Sequence, residues 1–210
     1  MGRDLRIAGH GVRASVVKPG FSGRGVRERD SRHAALGGVR KRAFDVVMAG
    51  IALILLMPIM LVTAVLIRLS MMGESIIVAE CLIGLGGRAF ARYKFRTAGG
   101  LRWAEILSEA LSRSSLDKVP QLFNVVRGDM SLAGPRPRIA HEMHDFAQVP
   151  ECLLARPGLI GMWQAYGQKG GNYRSEIALD RYYVRHWSMR LDFALLINAL
   201  LAAHHEDRIT

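Results

Sequence analysis

Residues 46–67 have the sequence VVMAGIALILLMPIMLVTAVLI and carry no charged side chain. A helix needs roughly 20 apolar residues to cross the hydrocarbon layer of a bilayer, and this run is long enough. Pro58 lies near its middle, where proline removes a backbone hydrogen bond and bends or breaks a helix. The run therefore predicts a membrane anchor with a break inside it, in preference to the buried core helix of a soluble protein.

Basic residues flank this run on both sides, at 40–42 before it and at Arg68 after it. Lysine and arginine next to a membrane segment favour the cytoplasmic side of the bilayer. Two basic flanks therefore predict that both ends of the run are cytoplasmic. We expect a reentrant helix-break-helix hairpin over residues 41–72 that enters and leaves one leaflet. A kinked helix that spans the bilayer is the alternative.

The beginning of the chain is strongly basic. Residues 1–42 contain eleven Lys and Arg against three Asp and Glu, with little apolar periodicity, and the whole chain has a formal net charge of +11. Low hydrophobicity with high charge predicts a disordered arm over residues 1–40. Such an excess of positive charge suggests an anionic partner, and anionic lipid headgroups would attract this arm. A tail that only aids solubility is the alternative.

The rest of the chain, residues 73–210, predicts a cytoplasmic domain of the α+β class, mostly helical with a small β-hairpin. Gly84–Gly87 separates two short stretches with strand character, 75–79 and 89–95. The apolar stretch Phe193–Ala203 follows aromatic and basic residues, which suits either an interfacial helix or a core-packing one. Apolar spacing and glycine content predict helices over 101–113, 175–188 and 189–204, and a loop over 157–171.

Residues 115–137 place an acid, Asp117, shortly before a proline and then a Gly-Pro-Arg-Pro segment. Ser115 or Asp117 is expected to cap a helix that ends at Gly128. A carboxylate can act as a nucleophile, and arginines supply fixed positive charge for a phosphate-rich substrate. Together with the apolar run, this stretch indicates phosphate chemistry at a membrane surface. The arginines in question are Arg127, Arg136 and Arg138.

Two other patterns are weak. Gly84, Gly86 and Ala89 match a loose dinucleotide fingerprint, but the fingerprint should open a helix and a strand is predicted to follow here. Residues 104–127 have the spacing of a helix-turn-helix but no cluster of basic residues on one helix. We therefore expect neither a dinucleotide cofactor nor a nucleic-acid partner.

The ordered blocks from Lys41 to about Leu200 resemble the small monotopic phosphoglycosyl transferases, the bacterial sugar transferase family of exopolysaccharide initiation. Ser115–Val125 is similar to the family's SLDELPQ-x-x-NV core, and Gly128–Pro137 is similar to its GDMSLVGPRP segment. The number and order of the blocks make a chance resemblance improbable. The other matching blocks are Lys41–Asp45, Tyr93–Thr97, Arg156–Gly167 and Asp180–Ser188.

The resemblance implies transfer of a sugar 1-phosphate from a UDP-sugar to a polyprenyl (undecaprenyl) phosphate, with release of UMP. It implies an enzyme of the inner membrane whose catalytic domain faces the cytoplasm, assisted by Mg²⁺. Asp117 is expected to be the nucleophile, through a covalent intermediate, and a ligand of the metal. A homo-oligomer and a complex with polysaccharide assembly proteins both stay open. The residues expected to bind substrate are Lys94, Arg96, Arg113 and Arg136 for phosphate and Gln164 for the nucleotide.

The chain departs from the family pattern in several places. Lys118 stands where the family has glutamate after the aspartate, and Leu82 stands where it has arginine. The segment between the Tyr93–Thr97 and Ser115–Val125 blocks is also shorter than usual. These departures motivate a second hypothesis, a catalytically inactive homologue that acts as a membrane-bound regulator or partner in polysaccharide assembly. The sequence does not determine the sugar, and galactose or glucose is the expectation from this branch of the family.

Overall fold

The computed structural model describes residues 36–70, 75–97, 102–139, 150–166 and 173–206, so the predicted arm over residues 1–40 lies almost entirely outside it. The elements in this part of the chain make a mostly helical α+β fold, as predicted. The α-helices are α1 (Gly38–Ser70), α2 (Arg102–Arg113), α3 (Gln121–Arg127), α4 (Met162–Tyr166), α5 (Tyr173–Arg185) and α6 (Met189–Glu206). The strands are β1 (Ile77–Ile83), β2 (Ala89–Phe95), β3 (Ser131–Ala133) and β4 (Gly158–Ile160).

The β-hairpin predicted around Gly84–Gly87 is confirmed. Strands β1 and β2 pair antiparallel, with Glu80 opposite Arg92. Gly86 and Gly87 have φ of 64° and 77°, a left-handed conformation that glycine adopts without steric strain. The first strand runs to Ile83, further than the predicted 75–79, and the turn leads into a strand and not into a helix. The dinucleotide pattern therefore has no helix on which to hold a phosphate.

Helix α1 contains the apolar run and continues through Pro58 as one helical element. The predicted helix-break-helix hairpin is thus not confirmed. Leu56 and Met60, on either side of Pro58, are both partly buried and pack against two different core clusters of the domain. These contacts hold the helix on both sides of the proline, which itself is exposed. The buried positions of α1 form one stripe along its length: Lys41, Asp45, Ala49, Thr63, Ile67 and Ser70.

The opposite face of α1 is apolar and exposed. By length and composition the helix could cross a membrane, and little of its apolar run is buried inside the domain. An exposed apolar surface of this extent marks a contact with lipid or with another protein. Its exposed large side chains are Val47, Met48, Ile51, Ile54, Leu55, Met57, Ile59, Leu61, Val62, Val65, Leu66 and Leu69.

Strands β3 and β4 form a parallel pair that the sequence did not predict, because residues 157–171 suggested only a glycine-rich loop. Ser131 pairs with Gly158 and Ala133 with Ile160, and α4 follows directly. The two backbones approach so closely that a Cβ on Gly134 would lie 2.5 Å from the carbonyl oxygen of Arg156. The prediction of a loop is therefore wrong for 158–166, where glycine serves close backbone approach.

Candidate active site

Asp117 lies in a short 3-10 turn, Leu116–Lys118, between α2 and α3. Ser115, just before the turn, has φ of 55° and is the only non-glycine residue with positive φ among those described. Such a conformation costs a non-glycine residue of order 1–3 kcal/mol and is typical of functional sites. The expectation that Ser115 or Asp117 caps the next helix is wrong, because α3 begins after Pro120 without a side-chain cap. The helix does end at Gly128, as predicted.

The carboxylate of Asp117 has an unsatisfied oxygen. Its Oδ1 is buried and accepts no hydrogen bond from any of the described residues. Leaving a buried acceptor without a partner costs about 1–3 kcal/mol, so an orphaned oxygen calls for an explanation. The turn itself is well held, since Leu116 packs against the core cluster of Ile67, Phe95 and Leu111. A fixed turn therefore holds a buried carboxylate oxygen whose capacity to accept a hydrogen bond is unused among the described residues.

Lys118, the residue that replaces the expected glutamate, does not neutralise Asp117. Its Nζ donates a hydrogen bond to Ser115 Oγ at 3.3 Å. Among the ion pairs of the described residues, none joins Lys118 to Asp117 or to another carboxylate. The lysine is exposed.

Hydrogen bonds to carboxylates of α5 hold the Gly134–Pro137 loop in place. The Arg136 amide donates to Asp180 Oδ1 at 3.2 Å, and its Nη1 donates to both Glu176 oxygens at 2.7 and 3.0 Å. Arg138 is 3% exposed and its Nη2 donates to Asp180 Oδ2 at 2.9 Å. Burial raises the pKa of Asp180 although Arg138 counteracts it. Arg138 therefore fixes the loop, whereas Arg136 remains about half exposed and can exchange its partner.

Lys94 lies on the hairpin that packs against the turn of Asp117. It forms an ion pair with Glu80, which also pairs with Arg92. Burial tends to raise the pKa of Glu80, but the hydrogen bonds from Lys94 and Arg92 outweigh it and lower that pKa. Glu80 is thus an ionised carboxylate that holds Lys94 in place, and a phosphate would have to compete with it. The sequence signal for this cluster is the spacing of Arg92 and Lys94 two residues apart on β2, together with Glu80, the single charged residue of β1.

The remaining predicted site residues, Arg96, Arg113 and Gln164, make contacts in different parts of the domain. Arg96 donates from Nε to the Ser75 carbonyl at 2.8 Å. Arg113, at the end of α2, pairs with Glu109 at 3.0 Å on the exposed surface. Gln164 belongs to α4, where its Oε1 accepts the Gly161 amide at 2.6 Å. Strand β2, which carries Lys94, and helix α2, which carries Arg113, both pack against the turn of Asp117. Arg136 and Gln164 lie instead in the segments that directly follow β3 and β4.

Asn124 fixes α3 to the hairpin. This fully buried side chain accepts the Tyr93 amide at 3.0 Å and donates to the Ala91 carbonyl at 2.7 Å. It satisfies the edge of β2 much as a neighbouring strand would. The helix that follows Asp117 and the strand that carries Lys94 are therefore fixed relative to each other by one amide.

Replacing Asn124 with leucine should lower the free energy of unfolding by about 1–3 kcal/mol, because two buried backbone groups of β2 lose their partners. Thermal unfolding in detergent measures this. Val126→Ala, at a more exposed position of the same helix, is the control and should change stability by less than about 1 kcal/mol. An unchanged midpoint in Asn124→Leu would mean that β2 finds other partners.

A buried polar network joins α1 to β3 and α6. Lys41 Nζ lies 2.6 Å from Asp192 Oδ2 and donates to the Ala133 carbonyl at 3.0 Å. Tyr183 Oη lies 2.6 Å from Asp192 Oδ1, and Asp45 accepts from Ser131 Oγ at 2.7 Å. Burial, followed by the charge of Asp192, raises the pKa of Tyr183, so it stays a hydrogen-bond donor. Sequence reasoning counted Lys41 only as part of the basic flank of the membrane segment and gave the other residues no individual role. An acid within an apolar helix, such as Asp192, is a signal that could have pointed to a buried ion pair.

Residues 36–206 match the model of the bacterial sugar transferase family. The chain belongs to this family. It is 33% identical over 196 residues to the exopolysaccharide production protein ExoY of Sinorhizobium fredii, covering 80% of this chain and 86% of that protein. It is 35% identical over 184 residues to the UDP-glucose:undecaprenyl-phosphate glucose-1-phosphate transferase of Caulobacter vibrioides. That match covers 77% of this chain and 68% of the relative.

A longer relative gives the same assignment. The chain is 31% identical over 197 residues to the undecaprenyl-phosphate galactose phosphotransferase of Salmonella typhimurium, covering 80% of this chain and 41% of that protein. The resemblance inferred from the ordered sequence blocks is thereby confirmed. As a bacterial sugar transferase the chain is a transferase enzyme.

The described residues could bind Mg²⁺ only if a substrate supplied most of its ligands. Among them, no group of three or more His, Cys, Asp or Glu could hold a metal. Mg²⁺ commonly keeps water and substrate phosphates as ligands and takes just one or two carboxylates from the protein. The unpartnered oxygen of Asp117 could supply one such carboxylate. The metal assigned to Asp117 from the resemblance stays a prediction.

Proposed function

We propose that this bacterial sugar transferase moves a sugar 1-phosphate from a UDP-sugar to undecaprenyl phosphate or a related polyprenyl phosphate. This would be the initiating step of exopolysaccharide synthesis. The relatives named as a glucose-1-phosphate transferase and a galactose phosphotransferase support this substrate class. The unpartnered buried oxygen of Asp117 is the single observation in the structure that carries the proposal.

The chemistry needs two displacements at one phosphorus. An oxygen of Asp117 attacks the phosphorus that carries the sugar, the bond from that phosphorus to the bridging oxygen breaks, and UMP leaves with the electron pair. A phosphate oxygen of the lipid then attacks the same phosphorus. The bond to Asp117 breaks, and the carboxylate is regenerated. When bound with the nucleotide, Mg²⁺ would reduce the repulsion between the carboxylate and the diphosphate.

The basic residues predicted to bind the substrate would exchange a carboxylate partner for a substrate phosphate. Lys94, Arg113 and Arg136 each pair with a carboxylate in the described structure. The side chains of Arg113 and Arg136 are 71% and 53% exposed, so each can release its partner, and a guanidinium can bind phosphate bidentately. Arg96 is proposed as a further phosphate ligand and Gln164 as a nucleotide contact.

We propose that the chain is monotopic, at the cytoplasmic face of the inner membrane. Lys41 at one end of α1 pairs with Asp192 of the domain, and Ile67 near the other end packs against Phe95 and Leu111 of the same domain. A helix whose two ends contact one domain is poorly suited to cross a bilayer. Its exposed apolar face would instead lie in one leaflet, with the apolar outer side of α6 at the interface.

Cysteines placed at Val39 and Ser75, on either side of α1, should therefore react from the same side of the membrane. In a Cys81→Ser background, both should label with an impermeant maleimide in inside-out vesicles and neither in right-side-out vesicles. Cys152 is buried and should stay unlabelled. Ser112→Cys, on the exposed surface of α2, reports the domain side. Labelling of the two sites in opposite vesicle types would establish a spanning helix.

The activity is tested with the full chain in lipid nanodiscs containing undecaprenyl phosphate and Mg²⁺. We expect UMP release with at least one of UDP-glucose, UDP-galactose and their N-acetylamino analogues, together with a sugar-phosphate-linked lipid product. Omission of the polyprenyl phosphate should stop turnover after a single equivalent of UMP. An absence of UMP with every UDP-sugar would contradict the proposal.

The second candidate, a catalytically inactive partner in polysaccharide assembly, is motivated by Lys118 and Leu82. It predicts that the native chain releases no UMP, whereas Lys118→Glu gains activity. Turnover by the native chain would refute it. Oligomeric state and binding to assembly proteins remain predictions that size determination in detergent and co-purification can test.

A further inference from the structure

Lys118 is the cation nearest in sequence to the unpartnered carboxylate of Asp117, and it differs from four other basic residues of the candidate site. Lys94, Arg113, Arg127 and Arg136 each have a carboxylate partner in the described structure. Among the described residues, the Lys118 ammonium has only the neutral Ser115 hydroxyl as a partner, at 3.3 Å, and it is exposed. Its charge is therefore the most available to an anionic ligand.

The local backbone favours this arrangement. Ser115 takes a left-handed conformation, and the turn closes through hydrogen bonds from the Lys118 amide to the Ser115 carbonyl and from the Val119 amide to the Leu116 carbonyl. The turn places Lys118 three residues after Ser115, so that the hydroxyl can orient the ammonium without neutralising it. Lysine and the orphaned aspartate are thus adjacent and not joined in an ion pair.

We infer that Lys118 binds the diphosphate of the nucleotide directly and supplies charge that a metal would otherwise have to provide. This inference rests on the proposed function and concerns the same site. An acid at this position would attract Mg²⁺ and repel phosphate, whereas lysine does the reverse. Nucleotide binding by this chain should therefore depend little on Mg²⁺, and it should depend on the charge at residue 118.

The test is equilibrium binding of UDP to the full chain in nanodiscs, measured by titration calorimetry with EDTA and with Mg²⁺. For the native chain we expect the Kd to change less than about threefold between the two conditions. Lys118→Met should weaken binding in EDTA about tenfold or more, as expected for loss of one charge-assisted hydrogen bond. Lys118→Arg should retain most of the affinity, and Lys118→Glu should bind UDP only with Mg²⁺.

Arg185→Met is the matched control, because this exposed arginine of α5 already pairs with Glu151, and it should leave UDP binding in EDTA nearly unchanged. Equal melting temperatures would exclude unfolding as a cause. Binding of UDP by the native chain only in Mg²⁺, or equal binding by Lys118→Met, would overturn the inference. Because no turnover is measured, UDP binding that depends on Lys118 without any UMP release would support it while contradicting the proposed function.

Discussion

Asp117→Asn should reduce UMP release by at least about 10³-fold, since an amide oxygen keeps the shape of the carboxylate but cannot form the covalent bond to phosphorus. The native stability should change little, because Oδ1 accepts no hydrogen bond in the structure. Turnover in nanodiscs measures the first effect and thermal unfolding the second. Intact-mass analysis of the native chain with UDP-sugar alone should also show a phosphosugar adduct that Asp117→Asn lacks.

Two neighbouring acids provide controls for this experiment. Glu109→Gln removes an exposed carboxylate of α2 that pairs with Arg113, and Asp129→Asn removes the partner of Arg127. Both should retain activity within about tenfold. Retention of more than a tenth of the native rate by Asp117→Asn, or an adduct mapped to another residue, would show that Asp117 is not the nucleophile.

The elements that the sequence predicted best are those whose signals are local. The hairpin depends on glycines that adjoin its strands, and the end of α3 depends on Gly128, whose φ of 105° no other residue adopts as easily. Helices α5 and α6 follow apolar spacing within their own segments. In each case the deciding residues lie within a few positions of the structure that they specify.

What the sequence did not reveal depends on partners that are distant along the chain. Strands β3 and β4 have three residues each, too few for a periodic signal, and pair only because two glycines allow close approach. Asp180 holds Arg138, and Asp192 holds Lys41 across 151 positions. The ordered sequence blocks identified the family and predicted Asp117 as the nucleophile. That the ammonium of Lys118 bonds to Ser115, with no carboxylate partner among the described residues, could be seen only in the structure. Spacing in sequence does not show which charges pair and which stay available.

Lys41→Met should lower the free energy of unfolding by about 3–5 kcal/mol, the usual cost of removing one member of a buried ion pair. Lys41 lies 2.6 Å from Asp192 and 3.9 Å from Asp45, and all three are buried. Without the ammonium, two carboxylates would remain in the interior with no positive charge between them. Thermal unfolding in detergent should show the loss, and activity should fall with it because α1 and β3 lose a shared attachment.

A second variant separates the uncompensated charge from the lost packing. Lys41→Met combined with Asp192→Asn should recover a substantial part of the stability, because the amide needs no counter-charge and its single oxygen can still accept from one of the two donors, Tyr183 or Trp187. Arg40→Met, an exposed neighbour on the same helix, should change stability by less than about 1 kcal/mol. If the double variant were no more stable than Lys41→Met, the lysine would act through the packing of its aliphatic stem. Side-chain packing, and not the ion pair, would then attach α1 to the domain.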